Sequence, residues 1–187
     1  MTQIEAARKG IVTEEVRQVA NDESISPETL AIEIAEGRAV ITKNRLRKFR
    51  PLGIGRGLRT KINANIGTSR DSIAYEEEME KLRVLIKYGA DAVMDLSTGG
   101  NLRDFRRRLI ANSPIAVGTV PIYDAVVRAV DSHGSIRKMS ADDIFRAIEE
   151  HLEDGVDFIT VHCGVTRGAI ERLKRDKRIL DVVSRGG

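Results

Sequence analysis

The stretch Ala92-Val93-Met94-Asp95-Leu96-Ser97-Thr98-Gly99-Gly100 constrains the fold more than any other part of the chain. A short apolar run passes straight into Asp-Leu-Ser-Thr and a glycine pair. This is the pattern of a buried parallel strand that ends in a loop of polar side chains and free backbone amides. Asp95, Ser97 and Thr98 fit badly inside a strand covered on both faces. They fit its C-terminal edge, where parallel α/β folds collect ligands. The pattern recurs at Ile62–Ser69, Ala116–Tyr123, Phe158–Gly164 and Val182–Gly187, so five apolar runs end in polar tips with amphipathic stretches between them.

Composition bounds the rest. In 187 residues, 41% hydrophobic and 32% charged, there is material for one sizeable core plus a small appendage. No apolar run approaches the roughly 18 residues of a membrane span. Met1-Thr2-Gln3-Ile4-Glu5 lacks a basic head followed by an apolar stretch, so the expected compartment is the cytoplasm. A net charge of +3 is too mild to argue for nucleic acid, and one cysteine, Cys163, excludes an internal disulfide framework.

In chain order, Thr13-Glu14-Glu15 and Ser26-Pro27-Glu28 read as helix starts, with Val16, Val19, Ala20, Leu30, Ile32 and Ile34 as apolar positions and Gly37 as a stop. Residues 1–50 are expected to form a small α-rich region ending in a basic run, Lys43 to Arg50. With no aromatic interleaving beyond Phe49, that run reads as a solvated linker or a face for a partner subunit rather than an RNA surface. The glycines of Pro51–Thr60 fail the dinucleotide fingerprint in spacing and context and read as a mobile or partner-contacting loop. From Ile62 the alternation is regular. Helices are expected after Asp71 or Ser72, carrying Met79, Leu82, Leu85 and Ile86; on Leu102, Phe105, Leu109 and Ile110; briefly from Asp124 to Val130; and after Ser140, burying Ile144, Ile148 and Leu152. One more carries Ala169, Ile170 and Leu173, before a fifth strand over Ile179–Ser184. Strand–helix alternation predicts a parallel sheet with right-handed crossovers. An open doubly wound sheet and a (β/α)8 barrel both fit. Polar residues at nearly every consecutive strand end favour a barrel rim, so residues 51–187 are expected to be an incomplete TIM barrel of about five of the eight strands.

The tips converge on one mouth. Asn65 to Met94 spans 29 residues, and Met94 to Tyr123 another 29, one βα unit each. His162 ends the fourth run. Ser184, Arg185 and Gly186, followed by Gly187, offer a hydroxyl, a guanidinium and glycine amides, a cradle suited to a phosphate monoester. Each tip has a plainer alternative: Met94 as core, Asn65 as a turn-former, Tyr123 as a packed aromatic, His162 as a structural histidine, Asp95 as a cap. Cys163 reads as an inert buried thiol, and His133 and His151 as loop and helix-surface residues.

Leu58–Ser69, Val93–Gly100, Val117–Tyr123 and Val183–Gly187, with the lead-in Ala7–Thr13, resemble successive motifs of the phosphomethylpyrimidine synthase (ThiC) family of thiamine biosynthesis, and the resemblance covers essentially the whole chain. It implies a dimeric (β/α)8 barrel lyase that converts 5-aminoimidazole ribonucleotide to hydroxymethylpyrimidine phosphate by radical S-adenosylmethionine chemistry. It implies a [4Fe-4S] cluster on a C-terminal cysteine motif, and a divalent metal, zinc or iron, on two late histidines. By motif, the substrate ligands are Asn65, Met94, Tyr123 and His162, with Ser184, Arg185 and Gly186 toward the phosphate. His162-Cys163-Gly164 departs from the family's more frequent alanine in the middle. The cluster cysteines and late histidines do not occur among these 187 residues, so the chain is expected to be a truncated enzyme, inactive alone. The alternative is a non-catalytic paralogue that holds a ribonucleotide phosphate or docks on a partner.

Overall fold

The computed structural model of the chain describes residues 1–176, 179, 180 and 182. The lead-in folds as three helices, α1 (Gln3–Arg8), α2 (Glu14–Asp22) and α3 (Pro27–Ala35). Thr13 Oγ1 accepts the N–H of Val16 at 3.3 Å, and Ser26 Oγ accepts that of Thr29 at 3.1 Å, so both helices begin at the anticipated caps. Val16, Val19, Ala20, Leu30 and Ile34 are buried in one core, whereas Ile32 is exposed.

Two expectations for the next stretch are corrected, the first wholly and the second in part. Leu52–Gly55 is a strand, β2, that pairs antiparallel with β1 (Ala39–Thr42) in the register Ala39↔Gly55 to Thr42↔Leu52, and Leu58 packs on the lead-in core. The glycines suit that site: a side chain on Gly53 would collide with Val19. The basic run is solvated only in part: Arg45, Lys48 and Arg50 are exposed. Lys43 pairs with Glu15 at 3.5 Å and Arg50 pairs with Asp22. Arg47 is buried, ion-paired to Asp157, and donates to the carbonyls of Ser113 at 2.5 Å and Ile115 at 3.2 Å. Asn44 ties the same place, its backbone N–H reaching Asp157 at 2.8 Å and its amide reaching the carbonyls of Leu152 and Val156, each at 3.0 Å. Alternate members of the run are counter-ions and staples, which composition alone does not reveal.

The second unit is a parallel sheet of four strands, β3 (Asn63–Ile66), β4 (Ala92–Asp95), β5 (Ala116–Thr119) and β6 (Phe158–Ile159), in sequential order. Between them run α4 (Tyr75–Lys87), α5 (Leu102–Asn112), α6 (Pro121–His133) and α7 (Ala141–Glu153), followed by α8 (Arg167–Asp176). The expected parallel alternation is present for four runs. Ile179, Leu180 and Val182 are not in a strand, and the remainder of the anticipated fifth strand lies outside the described residues. On one face Ile66, Val93 and Val117 pack with Met79, Leu82, Phe105 and Leu109 from α4 and α5. Each fully buried aliphatic here contributes about 1.5–3 kcal/mol of transfer free energy.

Several helix details differ from the expectation. α4 begins at Ala74 with no side-chain cap, because Ser72 instead exchanges backbone hydrogen bonds with Ser69 in the loop. α6 is longer than expected: Pro121 sits at its first turn and Gly134, at φ +67°, ends it. α7 does start at Ser140, whose hydroxyl and Asp143 form the capping box, yet Leu152 is exposed while Ala147 and His151 are buried. No residue of α8 is buried. Among the described residues, no helix is long and apolar enough to cross a membrane.

Candidate functional site

Register decides which candidate residues are true neighbours. Asn65 pairs with Met94, Met94 with Gly118, and Gly118 with Phe158. Since side chains alternate along a strand, these four share the sheet face opposite α4 and α5. Asn65 is exposed there and Met94 is buried. The equal spacing misplaces Tyr123: the partner of Met94 on β5 is Gly118, and Tyr123 stands in the first turn of α6. It still reaches the rim, because its ring lies against that of His162, with centroids 6.3 Å apart and planes tilted by 31°. His162 follows β6, so both rings lie beyond C-terminal strand ends. Ser184, Arg185 and Gly186 lie outside the described residues. Cys163 is exposed rather than buried.

The loops after β3 and β4 are locked together beside Asn65 and Met94. Thr68 N–H donates to Ser97 Oγ at 3.1 Å, Thr68 Oγ1 donates to the Gly99 carbonyl at 2.7 Å, and Thr98 N–H donates to the Thr68 carbonyl at 2.8 Å. Gly67 N–H donates to the carboxylate of Glu78, in α4, at 2.7 Å. Gly67 itself has φ +147°, and a Cβ there would sit 2.6 Å from Ser97 N and 2.7 Å from the Leu96 carbonyl carbon. Those neighbours are backbone and cannot turn aside. Gly67→Ala is therefore expected to cost at least about 2 kcal/mol in chemical denaturation, from combined backbone strain and overlap. An unchanged unfolding midpoint would refute so close an approach.

Asp95 completes that loop. Its carboxylate accepts from Ser97 N at 2.9 Å and Ser97 Oγ at 2.5 Å, and it is almost wholly buried. Burial pushes its pKa above the usual aspartate range, against the opposing effect of the Ser97 hydrogen bonds. An acid with a raised folded-state pKa loses stability as pH climbs above its ordinary value of about 4. Asp95→Asn keeps an acceptor for Ser97 and cannot ionise. It is expected to melt higher than the native chain at pH 7, with the gap closing toward pH 4; thermal scans at both values check this.

Beneath the rim, on the helix side, lies a polar seam that the sequence reading missed. Asp95 and Thr119 are cross-strand partners and the last residues of β4 and β5. Thr119 Oγ1 lies 2.8 Å from His151 Nδ1, and His151 Nε2 lies 3.1 Å from Asp124 and 2.8 Å from Arg106. Arg106 is itself buried and bridges Asp124 at 3.1 Å and Asp154 at 2.8 Å. Arg128 adds a second pair to Asp124 and reaches Glu150 at 2.7 Å. His151, read as a helix-surface residue, is thus a buried hub. A signal was present. Arg106 falls in helical step with Leu102 and Leu109, and His151 with Ala147 and Ile148, so each charge or ring sits on an apolar stripe.

The donor chemistry does not fit an iron–sulfur cluster. Such clusters take thiolate ligands from several cysteines, and these 187 residues contain one. Among the described residues, no group of three or more histidines, cysteines or acids is placed to hold a metal ion. Asn65, Met94, Tyr123 and His162 comprise an amide, a thioether, a phenol and an imidazole, groups of the kind that contact a small polar molecule.

Comparison with known proteins is consistent along the whole length. The chain is 63% identical over 187 residues to a phosphomethylpyrimidine synthase of Thermodesulfovibrio yellowstonii. It is 57% identical to one of Moorella thermoacetica and 50% identical to one of Pyrococcus abyssi, each over 188 aligned positions. In every case all of this chain is covered but only 44% of the relative, so it spans less than half the length of these proteins. Residues 2–187 match the profile of the Radical SAM ThiC family, and the chain belongs to that family.

Proposed function

We propose that this chain forms the first part of the substrate-binding barrel of a phosphomethylpyrimidine synthase, a radical S-adenosylmethionine lyase of thiamine biosynthesis acting in the cytoplasm. The observation that carries the reading is that Asn65 pairs with Met94 and the Tyr123 ring lies against that of His162, both pairs near C-terminal strand ends, in a family-matched chain. In this reading those four residues contact 5-aminoimidazole ribonucleotide, and Ser184, Arg185 and Gly186 hold its phosphate. The four strands are the opening strands of a TIM barrel. Support comes from their sequential parallel order. The division into a lead-in over residues 1–50 and a barrel part over 51–187 is supported by two separate cores, although β2 and Leu58 pack on the lead-in side. A homodimer is what the resemblance implies, while the lack of a long apolar run and the mild net charge of +3 support a chain without membrane or nucleic-acid partners.

Radical chemistry in such enzymes is supplied by S-adenosylmethionine and an iron–sulfur cluster. With one thiolate here, the cluster ligands and those of any zinc or iron belong to the portion of the relatives that this chain does not span. The contribution of these residues is to bind and orient the ribonucleotide. The test joins residues 1–187 to the remainder of the 63%-identical relative and reconstitutes the product anaerobically with iron and sulfide. Formation of pyrimidine phosphate from the ribonucleotide, S-adenosylmethionine and a reductant is expected from the chimera and not from the 187-residue chain alone. An inactive chimera that still binds the ribonucleotide would favour a non-catalytic binding module. One that neither binds nor turns over refutes the assignment.

A further inference from the structure

The first turn of α6 carries Tyr123; its start is buried at Val120 and Pro121, and Tyr123 N–H reaches the Val120 carbonyl at 3.0 Å, but it has no side-chain cap. Its N-cap is Val120, which has no side-chain hydrogen bond to offer, and Pro121 contributes no N–H. The turn is fastened one residue further on. Asp124 is buried and accepts from Arg106 of α5 at 3.1 Å and from Arg128 of its own helix at 2.8 and 2.9 Å, and it meets His151 of α7 at 3.1 Å. His151 is anchored in turn to Thr119, the last residue of β5, at 2.8 Å. With its proton on Nε2 the ring donates to Asp124 and accepts from Thr119, and this is the tautomer in which it holds the carboxylate. Partners from α5, α6 and α7 therefore converge on one carboxylate, with β5 anchoring it through His151, and the adjacent residue is the aromatic ring that faces His162.

We propose that Asp124, held by Arg106 and His151, is a positioning residue that sets the rotation of the first turn of α6 and so the stance of Tyr123 against His162. Its relevance to ligand binding rests on the reading of Tyr123 and His162 as ligand-contacting groups. The physical basis is that apolar burial of Val120 and Pro121 holds the start of α6 without fixing direction, there being no side-chain cap, while a buried charged acceptor with three directional partners does fix it. A helical residue and its successor point about 100° apart, so pinning Asp124 inward turns Tyr123 toward the rim.

The chain has three tyrosines and three histidines, few enough for ring-proton NMR of the 187-residue chain to assign each. A nuclear Overhauser contact between the Tyr123 and His162 rings is expected in the native chain. It is expected to persist in Asp124→Asn, which retains an acceptor oxygen, and to be lost in Asp124→Ala while the amide signals of α1 to α4 stay in place. Should Asp124→Ala fail to fold, Thr119→Val replaces it: the change is close to isosteric and removes only the anchor of His151, and the contact is expected to weaken. An undiminished contact in folded Asp124→Ala, or in Thr119→Val taken in its place, overturns the proposal, as does its absence in the native chain. Addition of 5-aminoimidazole ribonucleotide separates the two questions. A His162 signal that does not respond refutes the ligand-contacting role, whereas the ring–ring contact alone decides the positioning role.

Discussion

Replacing Asp157 by alanine is expected to remove about 3–5 kcal/mol of stability, the cost of leaving a buried charge without its partner. The Asp157 side chain is fully buried and that of Arg47 is 7% exposed. One carboxylate serves three donors at once: the Arg47 guanidinium and the backbone N–H groups of Asn44 and Val117, each of the latter at 2.8 Å. After truncation the guanidinium keeps only carbonyl acceptors, at Ser113, Ile115 and Ile110, and two part-buried amides lose their partner. Because typical domains are stable by only about 5–15 kcal/mol, such a loss removes a large share of the total. The lead-in would also lose its main polar tie to the ends of β5 and β6. Asp157→Asn, which still accepts from the amides, is expected to lose clearly less. Pairing Asp157→Ala with Arg47→Met is expected to recover part of the loss, since the stranded charge is then gone. Urea unfolding at constant slope measures all three. A loss under about 1 kcal/mol for Asp157→Ala would place Arg47 in the class of surface pairs and undo the staple.

What could be read from the residues divides along a physical line. Elements fixed by local rules were legible: Thr13, Ser26 and Ser140 cap where their side chains reach the third amide, and the apolar runs at Ala92 and Ala116 are parallel strands. Asn65 and Met94 are cross-strand partners as the 29-residue spacing implied. The same spacing failed at Tyr123, because β5 ends at Thr119 and the chain has already turned into α6. Counting residues does not detect that change of rise. The β1–β2 pair was missed because its partners come from the helical lead-in and from a glycine-rich stretch with no tight-turn signature, so the pairing is set by Val19 and the lead-in core rather than by local propensity. Charges were the hardest to place. Arg47, Arg106, Asp124 and His151 look like surface residues by type, and only their tertiary partners make burial affordable. Apolar-stripe positions occupied by charges are where a sequence marks such networks, and in α5, α6 and α7 they all point to one seam.

That seam carries the second large effect. Arg106→Ala is expected to destabilise the chain by about 3–5 kcal/mol at pH 7, because Asp124 and Asp154 are then left facing one another across a buried space. Arg128, Arg103 and Arg107 still reach these acids, but from more exposed positions, where screening weakens them. Arg106→Lys is not expected to restore the native value, since a single ammonium cannot bridge two carboxylates and an imidazole with a planar fork. The pH dependence separates ion pairing from lost packing. Burial acts to raise the pKa of Asp124, but the His151 hydrogen bond and the charge of Arg128 outweigh it and hold the carboxyl well below the usual range. Asp154 is likewise lowered, burial being outweighed by hydrogen bonds from Arg106, Arg107 and Arg103. Carboxylates with lowered folded-state pKa contribute stability that is present above their ordinary pKa of about 4 and lost as pH falls through the folded value. The gap between native chain and Arg106→Ala should therefore be full at pH 7 and shrink as the solution is acidified below about pH 4, because the unfolded acids then take up protons that the native ion pairs exclude. Denaturant midpoints at pH 7 and pH 3.5 measure it. A gap that stays constant would mean that Arg106 acts through its packed stem rather than its charge, and that the seam is a filler of space instead of an electrostatic clamp on α6.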